Sequence, residues 1–315
     1  MKLKIVLTIV FIFFANSSFA QLHIDKGSGY FNIFGGIGHE QDTIQVFYHK
    51  PKKFNANSKI LLVIPGAGRN ADDYRDSWVE ASEKYNILIV SPSYAEEQYN
   101  FAAYHLGGIV KVLDLKTGIS FEKGSNRVHM DESVDRFNVD LNSEQWLFND
   151  FDRLFEMVVK TVSSTQKTYD IFGHSAGGQI LHRFALLFPN SKANRILASN
   201  AGSYTLPDFN ADFPFGLQDV SINEEQLKKS FKKSLVVFLG EEDNENETGG
   251  LILRSPTIDK QGTHRFSRGN YFYNKSKAKA KELNGSFNWK LHVVSGIGHN
   301  QREMAKAAAI YLYGN

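Results

Sequence analysis

The chain has 315 residues, 42% hydrophobic, 13% aromatic and 22% charged, which suits one large or two average globular domains and excludes disorder, collagen-like repeats and a multi-span membrane protein. Formal net charge is +2; without Lys2 and Lys4, which fall in a leader, the 36 basic residues become 34 and equal the 34 acidic ones, so charge alone draws the chain to neither nucleic acid nor an anionic membrane. Cysteine is absent, which excludes disulfides, thiolate nucleophiles and cysteine-held metal centres and leaves the chemistry to Ser, His, Asp and Glu.

Residues 1–20 read MKLKIVLTIVFIFFANSSFA. Two lysines, an apolar run from Ile5 to Ala15 and a small-residue exit at Ser18-Phe19-Ala20 make the tripartite pattern of a secretory signal peptide. Cleavage is expected after Ala20, leaving Gln21 first, and the mature chain of residues 21–315 is expected in the periplasm or outside the cell. The apolar run is short of the ~20 residues that span a bilayer. No cysteine follows it, so a lipoprotein anchor is excluded.

Seven short β-rich runs come next: Thr43–His49, Lys59–Ile64, Ile87–Val90, Thr168–Phe172, Arg195–Ser199, Ser234–Leu239 and Lys290–Val294. Several are continuously apolar, as parallel strands buried on both faces are. Helical periods lie between them. Ala71–Tyr85 follows Asn70, a good cap residue, and carries acids in its first turn. Ser143–Val162 puts Leu147, Phe151, Leu154, Phe155, Val158, Val159 and Val162 on one stripe. Alternating strand and helix predict one doubly wound α/β domain with a mostly parallel sheet of about eight strands and helices on both faces. Two turn-rich stretches, 95–142 and 244–270, fit this alternation poorly and read as insertions of the kind that form pocket walls or lids.

The most informative residues are Tyr169–Gly178, YDIFGHSAGG. A strand ends at Phe172, Gly173-His174-Ser175-Ala176-Gly177 satisfies G-x-S-x-G, and Gln179–Phe188 continues as a helix. Such a strand-to-helix turn forces the serine into strained backbone geometry and pushes its Oγ out at the carboxyl end of the sheet. Flanking glycines remove the Cβ atoms that would collide there, and the helix start directs amides towards developing negative charge.

On these residues the chain resembles the α/β-hydrolases, and within them secreted esterases related to the polyhydroxyalkanoate depolymerase and feruloyl esterase group. The resemblance covers nearly all of residues 40–315. It implies an acyl-transfer enzyme acting on small or polymeric esters, with no cofactor. In that family the strand before the first core helix ends in a His-Gly-type loop that donates a backbone N–H to the substrate oxygen. Here Pro65 stands for the histidine and Gly66 is kept, so the matching donors are the N–H groups of Ala67 and Ala176. The loop lacks the spacing of a phosphate-binding P-loop or dinucleotide fingerprint.

The family's chain order is serine, acid, histidine. After residue 264 only His292 and His299 remain. His292 lies inside the apolar run KLHVV, whereas His299 follows the strand in Gly296-Ile297-Gly298-His299, so His299 is the expected base. For the acid, the family's glycine-plus-three spacing after Ser234–Leu239 selects Asp243 in Gly240-Glu241-Glu242-Asp243. Asp208, Glu241 and Glu242 are its rivals.

The rest of the acidic run EEDNENE reads as a solvated turn, and no metal-binding spacing occurs in the chain. His174 and His182 read as packing residues, His174 against the sheet. Tyr94, Tyr104 and Tyr204 follow strands and are equally suited to lining a pocket or to packing. Arg254, Lys260, Arg265 and Arg268 in the second insertion are suited to binding an acidic or sugar-bearing group, or to a solvated excursion. Oligomeric state and the acyl and alcohol parts of a substrate leave no signature. A peptidase, a polyester depolymerase and a catalytically silent binding protein remain alternatives on the same scaffold.

Overall fold

In the computed structural model, which describes residues 22–114, 118–134 and 136–314, the seven predicted strands are joined by an eighth. The predicted leader, residues 1–20, lies outside the described residues. The strands are β1 (Gly27–Phe34), β2 (Thr43–Lys50), β3 (Lys59–Ile64), β4 (Ile87–Ser93), β5 (Tyr169–His174), β6 (Ala193–Ser199), β7 (Ser234–Gly240) and β8 (Lys290–Val294). Their order across the sheet is β1-β2-β4-β3-β5-β6-β7-β8. The β1–β2 and β2–β4 pairs are antiparallel, and every pair from β4 to β8 is parallel. β1 has no continuous apolar run to announce it. As an edge strand it alternates exposed and covered residues, and its Gly29 makes room for the Tyr48 ring on β2, whose hydroxyl would lie 2.5 Å from an added Cβ.

The central strands build two separate cores by alternation. Ile60, Leu62 and Ile64 of β3 enter the larger one, while Leu61 and Val63 enter the other. Helix α3 (Phe148–Thr161) contributes Phe151, Leu154, Phe155 and Val158 to the first, as its predicted stripe requires, and α4 (Ala176–Leu187) packs there too. The terminal helix α7 (Gln301–Tyr313) places Met304, Ala305, Ala308 and Leu312 in the second.

The segment predicted as one helix after Asn70 is two, α1 (Ala71–Asp76) and α2 (Val79–Tyr85). The chain breaks where the Ser77 hydroxyl donates to the Asp73 carbonyl and Trp78 turns inward to full burial. Asn70 does not cap with its side chain, which instead donates to Asp73. A short helix, Phe101–His105, lies in the first insertion, and α5 (Glu224–Phe231) and α6 (Arg265–Glu282) are the remaining helices described. The second predicted insertion therefore ends inside a helix. The buried face of α6 carries Arg265, Arg268, Gly269, Phe272, Ser276 and Ala280, so it shows no apolar period.

The two insertions meet. Ile252–Arg254 pairs in parallel with Arg127–Met130, which pairs antiparallel with Ile119–Phe121, so one small sheet is made from both. A second strand pair, Val110–Asp114 with Arg136–Val139, lies wholly within the first insertion. Among the described residues no helix is long and apolar enough to cross a membrane.

Candidate active site

β5 is buried along its whole length and delivers the chain to Ser175, whose φ of 59° and ψ of −115° place a side-chain-bearing residue in a region that favours glycine. Such strain persists only where the surroundings enforce it. Two contacts do so. The Ser175 N–H donates to the Ser199 carbonyl at 2.9 Å. The neighbouring glycines let backbones touch: a Cβ on Gly173 would lie 2.5 Å from the Gly177 carbonyl oxygen, and one on Gly177 only 2.2 Å from that of Ile64. Gly177→Ala is accordingly expected to force the first turn of α4 off the end of β3 and to lower stability by about 1–3 kcal/mol, the usual range for overpacking. An unchanged urea midpoint in the purified variant would show that this contact tolerates a methyl group.

The loop that leaves β3, Pro65-Gly66-Ala67, runs against this turn. A Cβ on Gly66 would sit 3.5 Å from Ser175 Cβ and 2.7 Å from the Tyr74 hydroxyl. The loop is held from behind by the segment after β4. Tyr104 donates to the Pro65 carbonyl at 2.7 Å, and the Arg69 guanidinium stacks 3.9 Å from the centre of the Tyr104 ring. Arg69 Nη1 donates to the carbonyls of Tyr94 and Tyr99, while Ser93 Oγ donates to the carbonyl of Arg69. Ala67 is exposed at the tip and Ala176, the first residue of α4, is buried. Tyr94, Tyr104 and Tyr204 are fully covered. Of the two roles open to these tyrosines, the structure gives them packing, and Tyr104 fixes the loop.

His299 Nδ1 and Asp243 Oδ2 are 2.7 Å apart, with side chains only 6% and 2% exposed. Burial alone would raise the Asp243 carboxyl. The hydrogen bond and charge of His299, together with Arg265, outweigh it and hold Asp243 below the usual carboxylate range. An ionised Asp243 accepts, so Nδ1 donates and the Nε2 lone pair is left available. Burial holds the His299 imidazole below its ordinary value despite the pull of Asp243. Asp208 shapes a turn instead: its Oδ1 accepts from Asn210 N–H and its carbonyl from Leu217 N–H.

His174, expected to pack on the sheet, also packs on His299, with ring centres 4.5 Å apart, and its Nδ1 lies 3.4 Å from the Tyr74 hydroxyl. Burial, with His299 and Arg265 nearby, keeps it well below the usual imidazole range. This contact brings the strand end that carries Ser175 to His299. Ser175 Oγ and His299 Nε2 make no direct hydrogen bond, a looseness common before substrate binds. His182 accepts from Thr205 N–H and contacts the Gly178 carbonyl, which is a structural role.

Around the pair, Asn200 and Glu247 had no signal in the sequence, whereas Glu241 was a rival for the acid. Asn200 accepts from Gly240 N–H and donates to the Gly298 carbonyl. Glu241 accepts from Ser295 Oγ and Gly296 N–H, and Glu247 accepts from the backbone of His299 itself at 2.5 Å. The acidic run is thus not a solvated turn with one working member; three of its carboxylates anchor His299 or its loop. Arg265 and Arg268 are likewise not placed to meet a substrate. Arg265 donates to Asp243 Oδ1 at 3.0 Å, and Arg268, fully buried, donates to the carbonyls of Gly202, Leu253 and Gly262. Among the described residues no group of three or more His, Asp or Glu is arranged to hold a metal ion.

The chain is similar to poly(aspartic acid) hydrolase-1 from Sphingomonas sp. KT-1, with 33% identity over 93% of this chain and 100% of the other, at a TM-score of 0.78. It shares its fold with LpqC, a poly(3-hydroxybutyrate) depolymerase from Bordetella parapertussis, at 24% identity over 92% of this chain and 91% of that one, TM-score 0.76. The siderophore hydrolase EstA from Aspergillus nidulans has the same fold at 10% identity over 92% and 95%, TM-score 0.55. No family model matches the chain, and no curated protein matches it.

Proposed function

Because the chain belongs to the α/β-hydrolase superfamily of serine hydrolases, we propose that it is a secreted esterase working through Ser175, His299 and Asp243. The observation that carries this is the buried 2.7 Å His299–Asp243 contact beside the strained Ser175. Ser175 Oγ attacks the ester carbonyl while His299 Nε2 takes its proton. Ala67 and Ala176 N–H groups hold the negative oxygen of the tetrahedral intermediate. His299 then protonates the leaving alcohol, and water releases the acyl group by the same steps in reverse. Asp243 keeps the imidazole in the productive tautomer.

The catalytic domain spans residues 21–315, with helices on both faces of the sheet, a layout that the two separate cores support. Residues 1–20 direct export and are removed. No cofactor enters the steps.

A second reading is favoured by the 33% identity to a poly(aspartic acid) hydrolase: the bond cut is an amide in a polyacid. The same triad serves both. Purified enzyme would be given p-nitrophenyl esters of graded chain length, poly(3-hydroxybutyrate), poly(aspartic acid) and a fluorophosphonate probe. Ester turnover with covalent labelling is the expected result. Release of aspartate oligomers without ester turnover would favour the amide reading, and failure to label would leave a silent binding protein.

A further inference from the structure

Arg265 opens α6 with a side chain 2% exposed, and one guanidinium serves two sides of the imidazole. Its Nη1 donates to Asp243 Oδ1, the carboxylate oxygen not used by His299. Its Nη2 donates to the carbonyls of Gly250 and Leu251, both at 2.9 Å. Gly250 in turn lies over the far edge of the ring: a Cβ there would be 2.8 Å from His299 Cδ2, 2.9 Å from Nε2 and 3.1 Å from Arg265 Nη2. The backbone repeats the link, since Phe266 N–H donates to the Asp243 carbonyl at 3.0 Å.

We propose that Arg265 is a positioning residue for acyl transfer: it fixes the Asp243 carboxylate on one side of His299 and the Gly250 backbone on the other, so that the ring is held in one orientation with Nε2 unprotonated. This rests on Ser175, His299 and Asp243 being the reacting set. A carboxylate with a single partner can swing about its side-chain bonds and take the imidazole with it. Held on its second oxygen by a planar guanidinium, it has one position.

Charge works in the same direction. The titratable groups facing His299 are Asp243 and Glu247 from the loop after β7, Arg265 from α6 and His174 from β5. The two carboxylates favour the protonated ring, whereas Arg265 opposes it. Without Arg265 the ring holds its proton to higher pH, and the enzyme loses its free base at mildly acidic pH.

The test is the pH dependence of fluorophosphonate inactivation, which needs no known substrate, alongside kcat for p-nitrophenyl acetate. For the wild type the acidic limb is expected below 6.5, the ordinary imidazole value. Arg265→Gln is expected to move it up by about one unit or more, since a positive charge that opposes protonation at close range is lost. The plateau rate should fall by about tenfold or more as the ring loses its fixed orientation. Arg265→Lys keeps the charge and loses the fork, so its limb should stay near that of the wild type while its plateau falls. A folded Arg265→Gln enzyme with the wild-type limb overturns the proposal. If that variant does not fold, an Arg265→Lys enzyme with an unchanged plateau overturns it. Ser175→Ala separates the two levels: a variant that still reacts with the probe refutes the reacting set, while an inert one beside a wild-type-like Arg265→Gln refutes only the role of Arg265.

Discussion

Ser175→Ala is expected to abolish ester hydrolysis, on the order of 10⁴-fold or more in kcat, while leaving the protein folded. Loss of the proposed nucleophile leaves only what the two proposed backbone N–H donors and substrate binding supply. Folding is spared because Ser175 holds its place through its backbone N–H to Ser199, a bond alanine keeps. The φ of 59° is no more strained for alanine than for serine. Thermal midpoints should therefore agree within the small range usual for benign substitutions. Near-full turnover of p-nitrophenyl acetate by a variant free of wild-type enzyme would remove Ser175 from the mechanism.

Asp243→Asn is the next largest effect. Arg265 Nη1 can only donate, so it claims the amide oxygen and turns the amide NH₂ towards His299 Nδ1. Two donors cannot face each other, so Nδ1 gives up its proton and Nε2 acquires one, which is the tautomer that cannot accept from Ser175. The same substitution costs ~10⁴ in kcat in a serine protease. A loss of at least about a hundredfold is expected here, a conservative fraction of that effect. Asp208→Asn should change kcat far less, since an asparagine oxygen can accept from Asn210 N–H as the aspartate does. Initial rates on folded variants, at a pH above the imidazole's titration, decide between them. The reverse ranking would transfer the role to Asp208. Because Asp243→Asn also leaves the buried Arg265 charge without its partner, some loss of stability should accompany the loss of rate.

What could be read from the sequence was whatever is local in the chain. Seven of the eight main-sheet strands are short β-rich runs, several of them continuously apolar, and the turn at Ser175 is a ten-residue pattern with its own geometry. Strand β1 escaped because an edge strand with one exposed face has no continuous run. Contacts across the chain were a different matter. Arg265 meets Asp243 over a gap of 22 residues, and Glu247 meets His299 over 52. Neither spacing has a signature, and charged residues are by default solvated. The sequence therefore left Arg265 and Arg268 between binding an acidic or sugar-bearing group and a solvated excursion, and neither reading buries them. Helix α6 hid for a related reason: its inward face is built from arginine, glycine and serine as much as from apolar side chains.

The stitches between the loop after β7 and the loop after β8 have a consequence for how such an enzyme can be rebuilt. Glu241, Glu247 and Asp243 on one loop grip Ser295, Gly296 and His299 on the other, and Asn200, just after β6, spans Gly240 and Gly298. The stretches 240–250 and 295–299 are thereby a single exchangeable part, although 44 residues separate them in the chain. A chimaera that imports one of them from another hydrolase brings carboxylates without their amide donors, or donors without their carboxylates. Segment shuffling should therefore recover active enzymes chiefly when both stretches come from the same parent, with Asn200 retained at the crossing point.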